Sequence, residues 1–136
     1  MRWKVERVDG ALLDVDEVLG VYRASGLGKR RPIDDRARFA AMLRNANLVV
    51  VCRVDGAMAG IARCVSDFSY VTYLSDIAVT EAWQRRGIGR ALIDAIRAET
   101  PTAKIILLSA PAATEYYPHI GFTRHESAWV LNPDPQ

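Results

Sequence analysis

With 136 residues, half of them hydrophobic and a quarter charged, the chain has the size and composition of one globular domain and leaves no room for a long disordered tract. A net charge of +2 and a pI near 8.7 are too mild to mark a nucleic-acid binder, and no window approaches the roughly 18 uninterrupted apolar residues of a membrane span. The opening Met1-Arg2-Trp3-Lys4-Val5-Glu6 lacks the apolar core of a signal peptide, so a cytoplasmic protein without a membrane or nucleic-acid partner is expected.

Residues 2–8 alternate polar and apolar, with Trp3, Val5 and, one step out of register, Val8, which predicts a half-buried strand. Leu12, Val15, Leu19 and Tyr22 fall on one helical face, ended by Gly26 and Gly28. A second helix follows Pro32, with Asp34 or Asp35 at its cap and Phe39, Met42 and Leu43 as its apolar stripe. Residues 48–52 read as a buried strand, Asp55-Gly56 as a hairpin turn and residues 58–65 as the partner. A turn over residues 67–70 leads into a strand from Val71 to Val79. A third helix carries Ile88, Ala91, Leu92, Ala95 and Ile96 and stops before Pro101. Residues 105–108 form a central strand and 112–117 a short helix, and Phe122-Thr123 with residues 128–131 make a terminal hairpin. Residues 132–136 are too rich in proline for regular structure, which leaves residues 1–131 as one domain. The alternation predicts a mixed α/β sheet.

Between the strand ending at Val79 and the helix beginning at Ile88 lies Gln84-Arg85-Arg86-Gly87-Ile88-Gly89-Arg90. The first-turn amides of a helix point outward beside the positive end of its dipole and favour an anion. Gly87 and Gly89 carry no Cβ, so a pyrophosphate can approach the backbone, and Arg85, Arg86 and Arg90 can add charge-assisted hydrogen bonds. The stretch reads as a socket for a phosphorylated ligand, although Gly-x-Gly before a helix is also common loop geometry. Cys52 and Cys64 do not suit a disulfide: a two-residue turn at Asp55-Gly56 sets Cys52 opposite Ala59, about 16 Å along the strand from Cys64. Both read as buried thiols. The two histidines, His119 and His125, have no Cys or carboxylate at ligand spacing, so no metal site is expected.

A second motif, Tyr116-Tyr117-Pro118-His119-Ile120-Gly121-Phe122, follows the strand and Ala-rich segment downstream. Together the two motifs resemble the GNAT superfamily of acyl-CoA-dependent N-acetyltransferases, whose members carry Arg/Gln-x-x-Gly-x-Gly/Ala after their fourth strand and aromatic-Tyr-x-x-x-Gly-Phe after their fifth. The resemblance implies a short single-domain member of α/β class. Its sheet would be mixed and mostly antiparallel, with about six or seven strands and about four helices in the order β-α-α-β-β-β-α-β-α-β-β. It also implies acetyl-CoA as cosubstrate and, as acceptor, the primary amine of a small molecule or of a peptide or protein. The amine would attack directly in a ternary complex, and a homodimer is compatible with the family. A catalytically silent acyl-CoA sensor of the same fold is the alternative.

The same resemblance assigns roles to residues. Backbone groups of Ile77, Ala78 and Val79 would bond the pantetheine arm where their strand splays from its neighbour, with a β-bulge near Asp76 as the cause. Gln84, Arg85, Arg86, Gly87, Ile88, Gly89 and Arg90 would hold the pyrophosphate, and Tyr117 would contact the sulfur and protonate it as it leaves. Asp76, alone among apolar neighbours, is the candidate general base, with burial raising its pKa; the other reading is that it accepts hydrogen bonds without taking a proton. Tyr116 is expected to pack, and His119 has no role. The basic loop of residues 25–32 would either steer an anionic acceptor or CoA phosphates or remain a solvated loop, and Phe68 and Tyr70 would either form the opposite lip of the acceptor cleft or simply close the core.

Overall fold

The computed structural model describes residues 3–134, so Arg2 of the expected first strand and Pro135 and Gln136 of the expected tail lie outside the described residues. Among the described residues, five strands make one sheet in chain order: β1 (Trp3–Val8), β2 (Leu48–Val54), β3 (Ala57–Ser66), β4 (Val71–Val79) and β5 (Lys104–Ile106). The first four pair antiparallel, and β5 joins β4 in parallel. Helices α1 (Val15–Ser25) and α2 (Arg36–Asn45) precede β2, α3 (Ile88–Glu99) crosses from β4 to β5, and α4 (Tyr116–His119) follows. The class and the four helices match expectation, but the six or seven strands fall to five. Residues 122–134 contain no strand, and Trp129 and Leu131 are 93% and 99% exposed. At three residues, β5 offers too short a ladder to template the expected hairpin.

Local chemistry explains most boundaries. Asp14 caps α1 by accepting from the Asp16 amide, and Gly26 closes it at φ 88°, a left-handed conformation that costs glycine little. The buried face of α1 is Val18, Leu19, Val21 and Tyr22, while Leu12 sits exposed in a 3-10 turn before the helix. Asp35 caps α2 through the Arg38 amide at 3.1 Å. Asp55 and Gly56 both have positive φ, 50° and 87°, as a primed hairpin turn requires. A bulge after Cys52 sets that residue opposite Gly60 instead of Ala59, while Cys64 pairs with Leu48 at the far end of the same ladder. Both thiols are free and buried, and burial pushes the Cys64 thiol up to about 12.

Two cores result. Val49, Val51 and Ile61 face α1 and α2, and Leu48, Val50, Cys52, Ala62 and Cys64 face Ile88, Leu92 and Ile96 of α3. On β4 the alternation breaks. Arg63 pairs with Asp76 and the next residue, Cys64, with Leu74, so Ser75 is an unmatched extra residue. Leu74, Ile77 and Val79 therefore pack on the α3 side, whereas Ala78 belongs to the α1 side. Asp76, one residue beyond the bulge, turns with Ala78 toward α1 and meets Tyr22.

Candidate functional site

The bulge lies where the sheet opens. Strand β5 pairs with β4 only over Val71, Thr72 and Tyr73, so among the described residues the remaining length of β4 has no strand on that side. The Thr80 amide donates to Ala59 O at 2.9 Å, which sets the phase of the β3–β4 ladder: Ala78 pairs toward β3, and the backbone groups of Ile77 and Val79 point into the opening. Two adjoining clefts of about 120 and 270 Å³ occupy it. Ile77 lines both; Tyr117, Ser75 and Leu74 line the first, and Val79, Ala78 and Gln84 the second.

Gln84 ties the turn before α3 to this edge by donating its side-chain amide to Val79 O at 2.8 Å, which takes the Val79 carbonyl and leaves its amide. The turn then passes through Arg85 at φ 63° and Gly87 at φ 89°. No side chain caps α3, and the first helical bond runs from the Ala91 amide to Gly87 O, so the amides of Ile88, Gly89 and Arg90 have no intrahelical acceptor. Arg85, Arg86 and Arg90 are exposed, and Arg86 stacks over Trp83 at 4.8 Å from the ring centroid. A Cβ placed on Gly89 would meet only the Tyr116 hydroxyl, at 3.8 Å. Tyr116 therefore stands beside this turn, half-exposed, and packs at the surface, edge-on to Tyr117.

Tyr117 reaches the cleft from α4. Its ring packs edge-on against Phe122 and Tyr116, at centroid distances of 5.4 and 5.3 Å, and joins the α3-side core. Burial, with Tyr116 adding to it, raises the phenol above its ordinary pKa, so it stays protonated at neutral pH.

Asp76 has a different environment from the one expected. Its carboxylate is fully buried and accepts from Tyr22 Oη at 2.6 Å, Arg31 Nε at 2.6 Å, Arg63 Nε at 2.7 Å and Ser75 Oγ at 3.2 Å. Burial alone would raise its pKa, but Arg63, Tyr22 and Arg31 outweigh it and the net shift is downward, which reverses the expected rise. Tyr22 is driven the other way, by burial first and then by the Asp76 charge. Four donors on two oxygens leave this carboxylate little capacity for a further proton.

In the sequence Tyr22 counts only as part of the first helix's apolar face, Arg31 only as part of the basic loop of residues 25–32, and Arg63 carries no assignment. The readable signal was the pair Arg63 and Asp76, each the single charge in its apolar strand and each facing the other across one ladder. Residues 25–32 are not a solvated loop: a 3-10 turn spans Leu27–Arg30, and Arg31 is anchored inward, with Nη1 on Arg30 O at 2.8 Å and Nη2 on Ser75 O at 2.9 Å. Phe68 and Tyr70 line neither cleft; Phe68 closes the α3-side core and lies under Arg7, and Tyr70 is exposed and pairs with Lys104. His119 is exposed. Among the described residues, no three His, Cys, Asp or Glu side chains are grouped to hold a metal, and no helix is long and apolar enough to cross a membrane.

Comparison with known proteins fits this geometry. Residues 21–132 match the family model described as an acetyltransferase (GNAT) domain. No curated protein matches the chain. Among solved structures, the GNAT-family acetyltransferase of Streptococcus pneumoniae is similar at 18% identity and TM-score 0.74, covering 96% of this chain and 99% of that one. A GNAT-family protein of Xanthomonas campestris reaches 25% identity and TM-score 0.70, over 90% and 87% of the two chains. The aminoglycoside N-acetyltransferase AAC(6')-Iy, solved in complex with CoA, is similar at 17% identity and TM-score 0.72, over 98% and 96%.

Proposed function

Because the chain belongs to the GNAT family of acetyltransferases, we propose that it transfers the acetyl group of acetyl-CoA to a primary amine by direct attack within a ternary complex. The observation that carries this reading is the pair of adjoining clefts along β4. They share Ile77 and run from the Tyr117 side chain to Val79 and Gln84, and the uncapped start of α3 follows Gln84 in the chain.

Acetyl-CoA supplies the activated acyl carbon and a thiolate leaving group. The Ile77 and Val79 amides and the Ile77 carbonyl bond the pantetheine arm as an added strand would, with Ala78 lining the same wall. The free amides of Ile88, Gly89 and Arg90 and the guanidinium groups of Arg85, Arg86 and Arg90 hold the pyrophosphate, and Gly87 supplies the left-handed turn that aims those amides outward. Gln84 braces the turn through Val79. Tyr117, kept protonated by its burial, gives its proton to the sulfur as the carbon–sulfur bond breaks. Asp76 takes no proton. It acts as a positioning residue that fixes Arg31 at the cleft wall while Arg63 holds it from behind, and the amine loses its proton to water. In this reading residues 1–131 work as a single cytoplasmic domain, as a monomer or a homodimer.

The test is a thermal melt with acetyl-CoA followed by thiol release with a panel of small amines and peptides. Stabilisation by acetyl-CoA and amine-dependent CoA release are expected. Absence of stabilisation would remove these clefts as the donor site, and tight binding without release to any amine would make the protein a silent acyl-CoA sensor.

A further inference from the structure

We propose that the acceptor amine also carries a carboxylate, and that Arg31 seats it. The inference rests on the acetyl-transfer reading and starts from the charges around Asp76. Two guanidinium groups, Arg31 and Arg63, share that single carboxylate, and no other acid pairs with either among the described residues. Tyr22, the remaining partner, is neutral. The cluster therefore holds one positive charge in excess, set back from water, with the side chains of Arg31 and Arg63 only 20% and 11% exposed. An unbalanced charge in such a place is costly until an anion meets it.

Arg31 is the member that can be reached. Of its five N–H groups, Nε uses one on Asp76, Nη1 one on Arg30 O and Nη2 one on Ser75 O. Two N–H groups remain, one on each Nη, and Arg31 lines the same cleft as Tyr117, Ser75 and Ile77. The three bonds to protein hold the guanidinium plane rigid, so a carboxylate would meet a preorganised donor pair.

The walls also select by sign. The charged residues lining the two clefts are Arg30 and Arg31, and no Asp or Glu lines either one. A polycationic acceptor would find repulsion there, because the Asp76 carboxylate behind Arg31 is already saturated. This chain thus parts from the aminoglycoside-acetylating proteins that share its fold. Size is bounded as well: Nη2 is pinned to Ser75 O, and Arg31, Ser75, Ile77 and Tyr117 all line one cleft of about 120 Å³. That volume suits a compact amino acid with its amine toward Ile77 and Tyr117.

The test compares free amino acids with their methyl esters and amides as acceptors for acetyl-CoA, with a polyamine and an aminoglycoside alongside. The acids should exceed their esters in kcat/KM by on the order of 10- to 100-fold. Equal or better turnover of esters or polycations overturns the proposal. Arg31→Lys keeps a cation beside Asp76 but removes the fork, and in a folded variant that still binds acetyl-CoA the preference for the acid should shrink to a few-fold; full retention overturns the assignment to Arg31. If no amine releases thiol, calorimetry on the CoA-loaded protein reads the seat by itself. Tighter binding of acid than ester then upholds it while the transfer reading fails, and equal or absent binding of the acids overturns it.

Discussion

Replacing Asp76 with Asn tests whether this carboxylate is an electrostatic anchor or a catalytic base. The substitution keeps size and shape but leaves the guanidinium groups of Arg31 and Arg63, both mostly buried, without their counter-charge. Removing one partner of a buried ion pair costs about 3–5 kcal/mol. For a domain of this length, at roughly 3–4 °C per kcal/mol, the melting temperature should fall by about 10–20 °C. The pH dependence carries a second signature. A carboxyl whose pKa is lower in the fold than in the open chain, where it is about 3.9, contributes its stability in full above the unfolded value and loses it as pH falls through the folded one. The gap between wild type and Asp76→Asn, measured by urea unfolding, should therefore stay level from about pH 5 to pH 8 and narrow only below about pH 4. A variant within about 1 kcal/mol of wild type would refute the anchor. So would a gap that closes on descending through pH 6, because it would mean a carboxyl that is protonated in the fold near neutrality.

Tyr117→Phe should lower kcat by roughly 10²-fold or more while acetyl-CoA affinity, followed by thermal shift, is nearly kept; unchanged turnover would remove Tyr117 as the acid. Because burial raises the Tyr117 pKa, the pH–rate profile should show no alkaline fall below the ordinary phenol range, about pH 10, and a wild-type limb lower than that would mean the phenol is not the proton donor. Gly89→Glu should abolish acetyl-CoA binding through bulk and like charge. The fold should survive, since the space above Gly89 holds only the Tyr116 hydroxyl, and retained affinity would mean that the pyrophosphate sits elsewhere.

Local signals carried far in this chain. The stripe Ile88, Leu92 and Ile96, the Asp35 cap and the Asp55-Gly56 turn each depend on neighbours within a few residues, and each forms as expected. The uncapped socket was legible for the same reason, because glycines and a helix start are adjacent in sequence. The bulge expected near Asp76 is present at Ser75. The environment of Asp76 was only partly legible: Arg63, 13 residues away, faces it across the hairpin, but Tyr22 and Arg31 lie 54 and 45 residues away, on α1 and just after the 3-10 turn. Burial without partners predicts a raised pKa; only tertiary packing supplies the two arginines that reverse it. The terminal hairpin failed for a related reason. The apolar run Trp129-Val130-Leu131 has strand propensity, but a strand also needs an edge to pair with, and β5 ends at Ile106.

Between Arg63 and Ser66, β3 uses four residues where β4 uses five, Thr72 to Asp76. The surplus link is Ser75. Cutting it out would bring Leu74 directly before Asp76, and the two already face opposite sides of the sheet, so no side chain would have to change sides for the ladder to become regular. Both hydrophobic layers are indifferent to the presence of that link. The phase of β4 is thus a difference in chain length between two adjacent strands, which a single codon can add or take away while the sides on which their side chains pack are inherited intact.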